Sequence, residues 1–539
     1  MNADQICKTL STLKSLRSPH EQVWRDCFDH TYPMRGNGFY SEMMDAQEAL
    51  NRKARILDGT TTDSARTLSS SVQSGLTPAN SLWFGMDVAQ ATEDERRWLD
   101  ESAKIIWENI HASNFDAAAF EGVLDVVCAG WCALYIDSDR ERGGYTFDLW
   151  PISGVYCSAS KPGGKIDTVY RCYKLTAEQA VNEFGEGNVS ENTRKLAKDK
   201  PQELLEFVHA IYPRTTYVVG GRLAKNMPIA SCKVEVAAKK VVSESGYHEM
   251  PVVVPRWMVI PDSVYATGPV AEALPDARTL NEMVRMDLAA GDLAIAGMWI
   301  AEDDGVLNPR TVKVGPRKII VANSVDSMKP LQSGSNFNYS DSRITRLQAA
   351  IRKTMMADQL QAQDGPAMTA TEVHVRVNLI RQLLGPVYGR LQTEYLQPLI
   401  ERCFGIAMRA GILGQPPQSL AAGRPYTVRY LSPLARAQKL EEVSAIDQFV
   451  TGCAMAAEVQ NKTGQQVDAM DNVDLDAAAR FRGEALGVPT EVMRSKADVQ
   501  RVREERAQAQ QEAMEQQQQM AMQQSVAQAA MKQAPGAAA

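Results

Sequence analysis

The residue types most able to do chemistry are scattered along the chain, and no grouping completes a reaction centre. The densest hydroxyl cluster is DGTTTDSARTLSSSVQSGL, over positions 58–76. A serine or threonine nucleophile needs a base within hydrogen-bond reach. No histidine or lysine lies nearby in sequence, although a distant one stays open. Helix capping and close helix packing are the better reading. Cys128 and Cys132 sit in the apolar run VVCAGWCALYI without further ligands at zinc-site spacing, so they read as core residues. Asp303 and Asp304 resemble half a metal site, but Gly305 and Asn308-Pro309 mark a turn. Gly163-Gly164-Lys165 and Gly315-Pro316-Arg317-Lys318 lack the loop spacing and hydroxyl residue of a phosphate-binding loop. No cofactor and no metal is expected.

Bulk properties narrow the classes further. At 539 residues the chain exceeds what one hydrophobic core serves. Net charge is −7, whereas proteins that grip DNA by neutralising phosphates carry a basic excess. Any DNA contact should therefore be loose or local. The nine cysteines show no pairing pattern. The first residues, MNADQICKTLSTLKSLRS, lack the long apolar core of a signal peptide. No apolar run reaches the roughly 18 residues that span a bilayer. The expectation is synthesis and assembly in the cytoplasm.

The elements that must carry these residues follow from periodicity. Residues 3–30 read as a helix that ends before Tyr32-Pro33. Residues 60–76 and 93–130 read as two more. From 131 to about 257 the runs CALYID, YTFDLWPI, TVYRCYKL, LEFVHAIYP, KVEVAAKKVV and MPVVVPRW read as strands, interrupted by a helix near 176–198. From 269 the chain is helical again, with Pro275 suited to a first turn. Leu280, Val284, Leu288 and Ile295 form its apolar stripe. Asn281, Arg285 and Asp292 fall on another face. A turn-rich, β-like insert at 298–331 precedes a helix that resumes near Ser342, with Ile344, Leu347, Ile351 and Met355 at helical spacing. The economical geometry is a helical hairpin with a small knob at its tip. A polar loop, 359–370, leads into a long helix at about 371–410, kinked at Gly385-Pro386. Residues 426–431 read as one strand and 433–507 as helices. The Gln/Ala/Met-rich stretch 508–533 is either disordered or a helix supported by neighbours. The fold class is α+β, mainly helical.

Three long stretches resemble the head-to-tail connecting (portal) proteins of podovirus-type bacteriophages. They are DGTTTDSARTLSSSVQSGLTPANSLWF (58–84), PVVVPRWMVIPDSVYATGPVAEALPDARTLNEM (251–283) and TATEVHVRVNLIRQLLGPVYGRLQTEYLQPLIERCFGIAMRAGIL (369–413). Their order and the total length match the family. The resemblance covers most of residues 1–450 and is weaker beyond. It implies a fold of wing, stem, clip and crown, assembled as a ring, typically a dodecamer. On this plan the wing is 1–268 and 371–432, the stem helices are 269–297 and 336–358, and the clip is 298–335. The tunnel loop is 359–370 and the crown 433–507, with 508–539 as barrel or disordered tail.

The resemblance also implies a role without catalysis: a DNA channel at one capsid vertex for packaging, retention and ejection. Gln361, Gln363, Asp364 and Met368 would face the lumen from the tunnel loop, with Asn281, Arg285 and Asp292 on the stem. Arg343, Arg346, Arg352 and Lys353 would touch phosphates or pair with acids between subunits. Arg310, Lys313, Arg317 and Lys318 would dock a partner at the clip, or lie in a solvated turn. The implied partners are further copies of the chain, double-stranded DNA in passage, the terminase large subunit, a tail adaptor, and the major capsid and scaffolding proteins. The implied location is the virion's portal vertex, after assembly in the bacterial cytoplasm. Two other classes are carried: a DNA-processing enzyme (nuclease or packaging ATPase), and a helical scaffold or internal head protein without a channel.

Overall fold

The computed structural model describes residues 2–40, 46–79, 82–88, 92–139, 143–161, 163–218, 223–296, 298–301, 328–331, 337–360, 385, 387–418, 427–430, 443–457, 469–486, 494 and 498–511, with isolated positions 514, 516, 520 and 522. The fold is α+β and mainly helical, as expected. The chain divides into two compact units, Met1–Gly85 with Ser102–Gln415, and Met86–Glu101 with Pro416–Ala539.

The first unit begins with α1 (Ala3–Asp29). Asn2 and Gln5 cap it reciprocally, each side chain accepting from the other's backbone N–H. Its N-terminal half lays Ile6, Leu10 and Leu13 on one face of a five-stranded antiparallel sheet. That sheet comprises β4 (Val155–Ser158), β5 (Thr168–Thr176), β6 (Leu204–Pro213), β7 (Ile229–Glu235) and β8 (Lys240–Tyr247), hydrogen-bonded in chain order. Alternation sends Val208, Ala210 and Tyr212 towards α1, and Phe207 towards Ala180 and Phe184 on the opposite face.

Two sequence readings change here. KVEVAAKKVV is a hairpin rather than one strand, because Lys239 adopts φ +47° in the turn between β7 and β8. The helix expected near 176–198 is two, α6 (Ala177–Phe184) and α7 (Glu191–Asp199), separated at Gly185 with φ +82°. The carboxylate of buried Glu235 secures the second start, accepting from Ser190 N–H, Ser190 Oγ and Thr193 Oγ1.

A second sheet, β3-β2-β9, joins β2 (Ala133–Ser138), β3 (Tyr145–Trp150) and β9 (Val252–Val253). It packs on α5 (Phe115–Ala129) and on the helix Gln397–Ala410. The single helix expected over 93–130 is broken into α4 (Glu93–His111) and α5. The cause lies outside the segment. Asn114 Nδ2 donates to Phe147 O at 2.6 Å and its Oδ1 accepts from Phe147 N at 3.0 Å, so the break is pinned to β3.

The chain also forms α2 (Ala46–Lys53) and α3 (Thr60–Leu76), which packs on α5, before β1 (Phe84–Asp87). The short pair β10 (Met258–Val259) and β11 (Ala266–Thr267) leads into the hairpin helices. Gly130 ends α5 at φ +92°, and a Cβ there would stand 2.5 Å from the carbonyl carbon of Thr267. Only glycine permits both the angle and the contact. This close approach fixes where the next helix, at 269, leaves the core.

All nine cysteines are free, and Cys128 and Cys132 are buried as read. Burial pushes the Cys128 thiol up to about 12. Of the long helix expected over 371–410, residues 371–384 and Pro386 lie outside the described residues. Within the described part the departure from α geometry is a π turn, Gln392–Leu396. It carries Glu394 to Arg256, whose guanidinium donates to both carboxylate oxygens at 2.9 and 2.7 Å.

His209 on β6 is buried among Tyr135 and Trp150, and its Nε2 meets Ser231 Oγ at 2.8 Å. Burial, then the nearby Lys233 and Arg171 charges, lower its pKa to about 3. The unfolded chain binds a proton here below about pH 6.5 that the folded chain refuses. This contribution to stability is therefore full above pH 6.5 and shrinks as pH falls towards 3. Urea unfolding at pH 7 and pH 4.5 should show a decline that His209→Gln reduces by on the order of 2 kcal/mol.

In the second unit, helices occupy 443–457, Leu475–Leu486 and 498–511. Asp447 pairs with Arg482, and Asp476 accepts from both terminal nitrogens of Arg503 at 2.6 and 2.7 Å. β14 (Thr427–Tyr430) is the strand expected at 426–431.

Candidate functional site

The hairpin is the feature that the sequence singled out and the fold builds. Its first arm is α8 (Pro269–Ala296), 28 residues and so about 42 Å long. Pro269 takes the first position, which puts Pro275 in the second turn rather than the first. The chain then forms β12 (Met298–Ala301), paired antiparallel with β13 (Met328–Leu331) in the register Met298↔Leu331 to Ala301↔Met328. It returns along α9 (Phe337–Thr354), which begins five residues before the expected Ser342. A four-residue helix, α10 (Ala357–Leu360), follows, so a loop in the 359–370 segment starts no earlier than 361.

The base of the hairpin is anchored in the first unit. Val270, Ala273, Leu274, Ala277 and Leu280 are buried on α8, and Ile351, Met355 and Ala357 at the end of α9 and beyond. The packing partners are α1, α3 and α5. Arg278 pairs with Asp26, and Gln348 donates to Asp58 at 2.8 Å. The far end is bare. Leu288 is 56% exposed and Ile295 89%, although both continue the stripe that begins with buried Leu280 and half-buried Val284.

The predicted site residues divide accordingly. Asn281 belongs to the anchor: its Oδ1 accepts from Leu57 N at 2.8 Å and its Nδ2 donates to Arg55 O at 3.0 Å. Arg285 is exposed and pairs with Glu282 on the same helix, and Asp292 is exposed. Arg343, Arg346, Arg352 and Lys353 are all exposed on α9, with no ion-pair partner among the described residues. The hairpin thus brings Arg285, Asp292 and the four cations onto one projecting element, while Asn281 is spent on positioning it. Gln361, Gln363, Asp364 and Met368, and Arg310, Lys313, Arg317 and Lys318, lie outside the described residues, as do Asp303 and Asp304.

Away from the hairpin, hydroxyls, carboxylates and imidazoles meet without completing a reactive constellation among the described residues. The hydroxyls of α3 turn inward to backbone: Ser69 Oγ donates to Ala65 O and Thr62 Oγ1 to Thr31 O. An aspartate–histidine pair exists, with His111 Nδ1 at 2.9 Å from Asp116 Oδ1. The other ring nitrogen accepts from the Trp83 indole N–H at 3.2 Å, so the place of a nucleophile is held by a donor that cannot attack. Ser263 Oγ meets His20 Nε2 at 3.1 Å, where His20 lies against Trp24 and Tyr265. Sequence reading missed both pairs because their members come from separate elements. No group of three or more His, Cys, Asp or Glu side chains is placed to hold a metal among the described residues. No described helix is long and apolar enough to cross a membrane.

Comparison with known proteins fits a projecting structural element. A Salmonella phage epsilon15 protein named "Portal protein" is 29% identical over 538 residues, covering 95% of this chain and 92% of the relative. A Bordetella phage BPP-1 protein named "Probable portal protein" is 27% identical over 513 residues, covering 93% and 90%. The profile of bacteriophage head to tail connecting proteins matches residues 3–493, which include both arms of the hairpin and the sheets that anchor it. The chain belongs to the bacteriophage head to tail connecting protein family.

Proposed function

We propose that the protein is a portal subunit: copies close into a ring at one capsid vertex, and the genome passes through the hole. The observation that carries this reading is the anchored hairpin, α8 and α9, whose outer half leaves Leu288 and Ile295 bare in the single chain. A surface of that kind calls for a neighbour. Family membership supplies the identity of the assembly. Ring closure needs a heterologous contact repeated at a fixed rotation. A dodecamer is the expected count.

In this reading α8 and α9 are the stem and the insert between them the clip, with Arg310, Lys313, Arg317 and Lys318 as docking residues for the terminase large subunit and then the tail adaptor. The segment after α10 is the tunnel loop, with Gln361, Gln363, Asp364 and Met368 towards the DNA, and Arg285 and Asp292 on the stem wall. The helices of the second unit are the crown. The net charge of −7 per subunit suits a conduit that must not hold phosphates tightly. The role is structural: packaging, retention and ejection of the genome, with the motor supplied by another protein. The subunit assembles in the bacterial cytoplasm with capsid and scaffolding proteins and ends in the virion.

Negative-stain microscopy of the purified full-length chain tests this. Rings with a central stain-filled hole are expected. Filaments or solid particles would favour the scaffold reading. ATP hydrolysis or DNA cleavage by the pure protein would favour an enzyme.

A further inference from the structure

We infer that Arg256 and Trp257 couple the helix at 387–410 to the root of α8, so that a shift in one is carried to the other. The coupling belongs to the single chain; its use in a channel rests on the portal reading.

The helix at 387–410 contains the π turn, and that turn has a local cause. Pro398 has no N–H to offer the Glu394 carbonyl, and its ring crowds that carbonyl. The ladder opens by one residue, and Gln397 N–H donates to Gln392 O. The helix therefore carries a break at Gln392–Leu396.

The two sides of this break are held differently. Beyond it, Arg402 donates to Ile136 O at 3.3 Å and to Glu249 at 3.2 Å. Arg409 donates to both oxygens of Glu249 at 2.6 and 2.7 Å, and the Tyr145 hydroxyl to Cys403 O at 3.0 Å. In the break, Glu394 accepts from Arg256, and before it Arg390 donates to Trp257 O at 3.2 Å. The same two residues hold the approach to α8. Arg256 Nη1 donates to Val264 O at 3.3 Å, in the turn that joins β10 to β11. Trp257 N–H donates to Gly130 O at 2.7 Å, and Gly130 is the residue against which Thr267 stands before α8 begins. One guanidinium and the backbone of the next residue thus serve both elements.

Charge ties the two ends of this link together. Arg256 is 6% exposed, and Glu394 is its one ion-pair partner among the described residues. Without that carboxylate a buried cation is left unpaired, and the guanidinium must turn to find another acceptor. That turn releases Val264 O, although residue 394 itself does not touch it.

Amide hydrogen exchange on the full-length chain tests the coupling, read over 387–396 and over 266–277, which holds β11 and the first turns of α8. Glu394→Gln leaves Arg256 with a neutral partner and should speed exchange about tenfold in both regions. Arg256→Lys keeps a charge for Glu394 but cannot reach Val264 as well. The root of α8 should then loosen by a similar factor while 387–396 stays close to wild type. Arg409→Ala is the control: it removes two bonds from the same helix beyond the break and should leave 266–277 unchanged. Loosening by Glu394→Gln that stops at 387–396 would overturn the coupling. So would wild-type exchange at 266–277 in Arg256→Lys, or equal loosening there by Arg409→Ala. None of these results bears on ring formation, which microscopy of the wild-type chain decides separately.

Discussion

Phage that carry a subunit shortened within residues 361–370 should still assemble rings and capsids but yield few particles with a full-length genome. In the proposed channel this segment narrows the passage and opposes backward slip of the duplex. Its composition, QAQDGPAMTA, is polar and lacks any lysine or arginine, so it meets DNA without the phosphate pairing that would hold it. Removing it changes clearance and friction but touches none of the anchors of the hairpin, which lie in α8, α9 and their partners. Ring yield by microscopy should therefore match wild type. The length of DNA in purified heads, read by pulsed-field electrophoresis, should shift strongly to short or absent genomes. Full-length DNA in stable heads would contradict a role in retention.

The largest effect on folding is expected from Arg17→Met, a loss of about 3–5 kcal/mol in urea unfolding, against the 5–15 kcal/mol typical of a domain. Arg17 is 3% exposed. Its guanidinium donates to Ile152 O at 2.9 Å, Val155 O at 2.7 Å and Ser153 O at 2.8 Å, and lies 3.9 Å over the ring of Tyr156. Methionine would fill much of the volume and leave these carbonyls without their donors, at about 1–3 kcal/mol each where they stay dry. Arg17→Lys should recover only part, because an ammonium cannot reach three acceptors with the planar fork of arginine. A variant as stable as wild type would mean that α1 is not locked to the start of β4 in this way.

Several elements were legible in the sequence because their determinants are local. The span of α1, the span of α3 at Thr60–Leu76 and the start of α8 at 269 follow from apolar periodicity with caps and prolines, all within a few residues. The absence of a phosphate-loop motif and the long mixed-chemistry stretches at 58–84, 251–283 and 369–413 were likewise readable, and they carried the family.

What periodicity could not supply is the identity of whatever covers a face. Arg17 looks like one more charged residue on an amphipathic helix, yet its acceptors stand 135 to 139 positions away. Asn114 breaks a helix because a strand more than thirty residues later offers it two backbone partners. Asn281, expected on the channel wall, ties α8 to the chain before α3, while its near neighbour Arg285 stays exposed. Leu280 and Leu288 obey the same pattern, and one is buried while the other stands in water. Sequence sets which side of a helix is apolar, since that depends on a repeat of 3.6 residues. Only the tertiary structure decides which turns of that side meet protein, because contact depends on elements brought together across hundreds of residues.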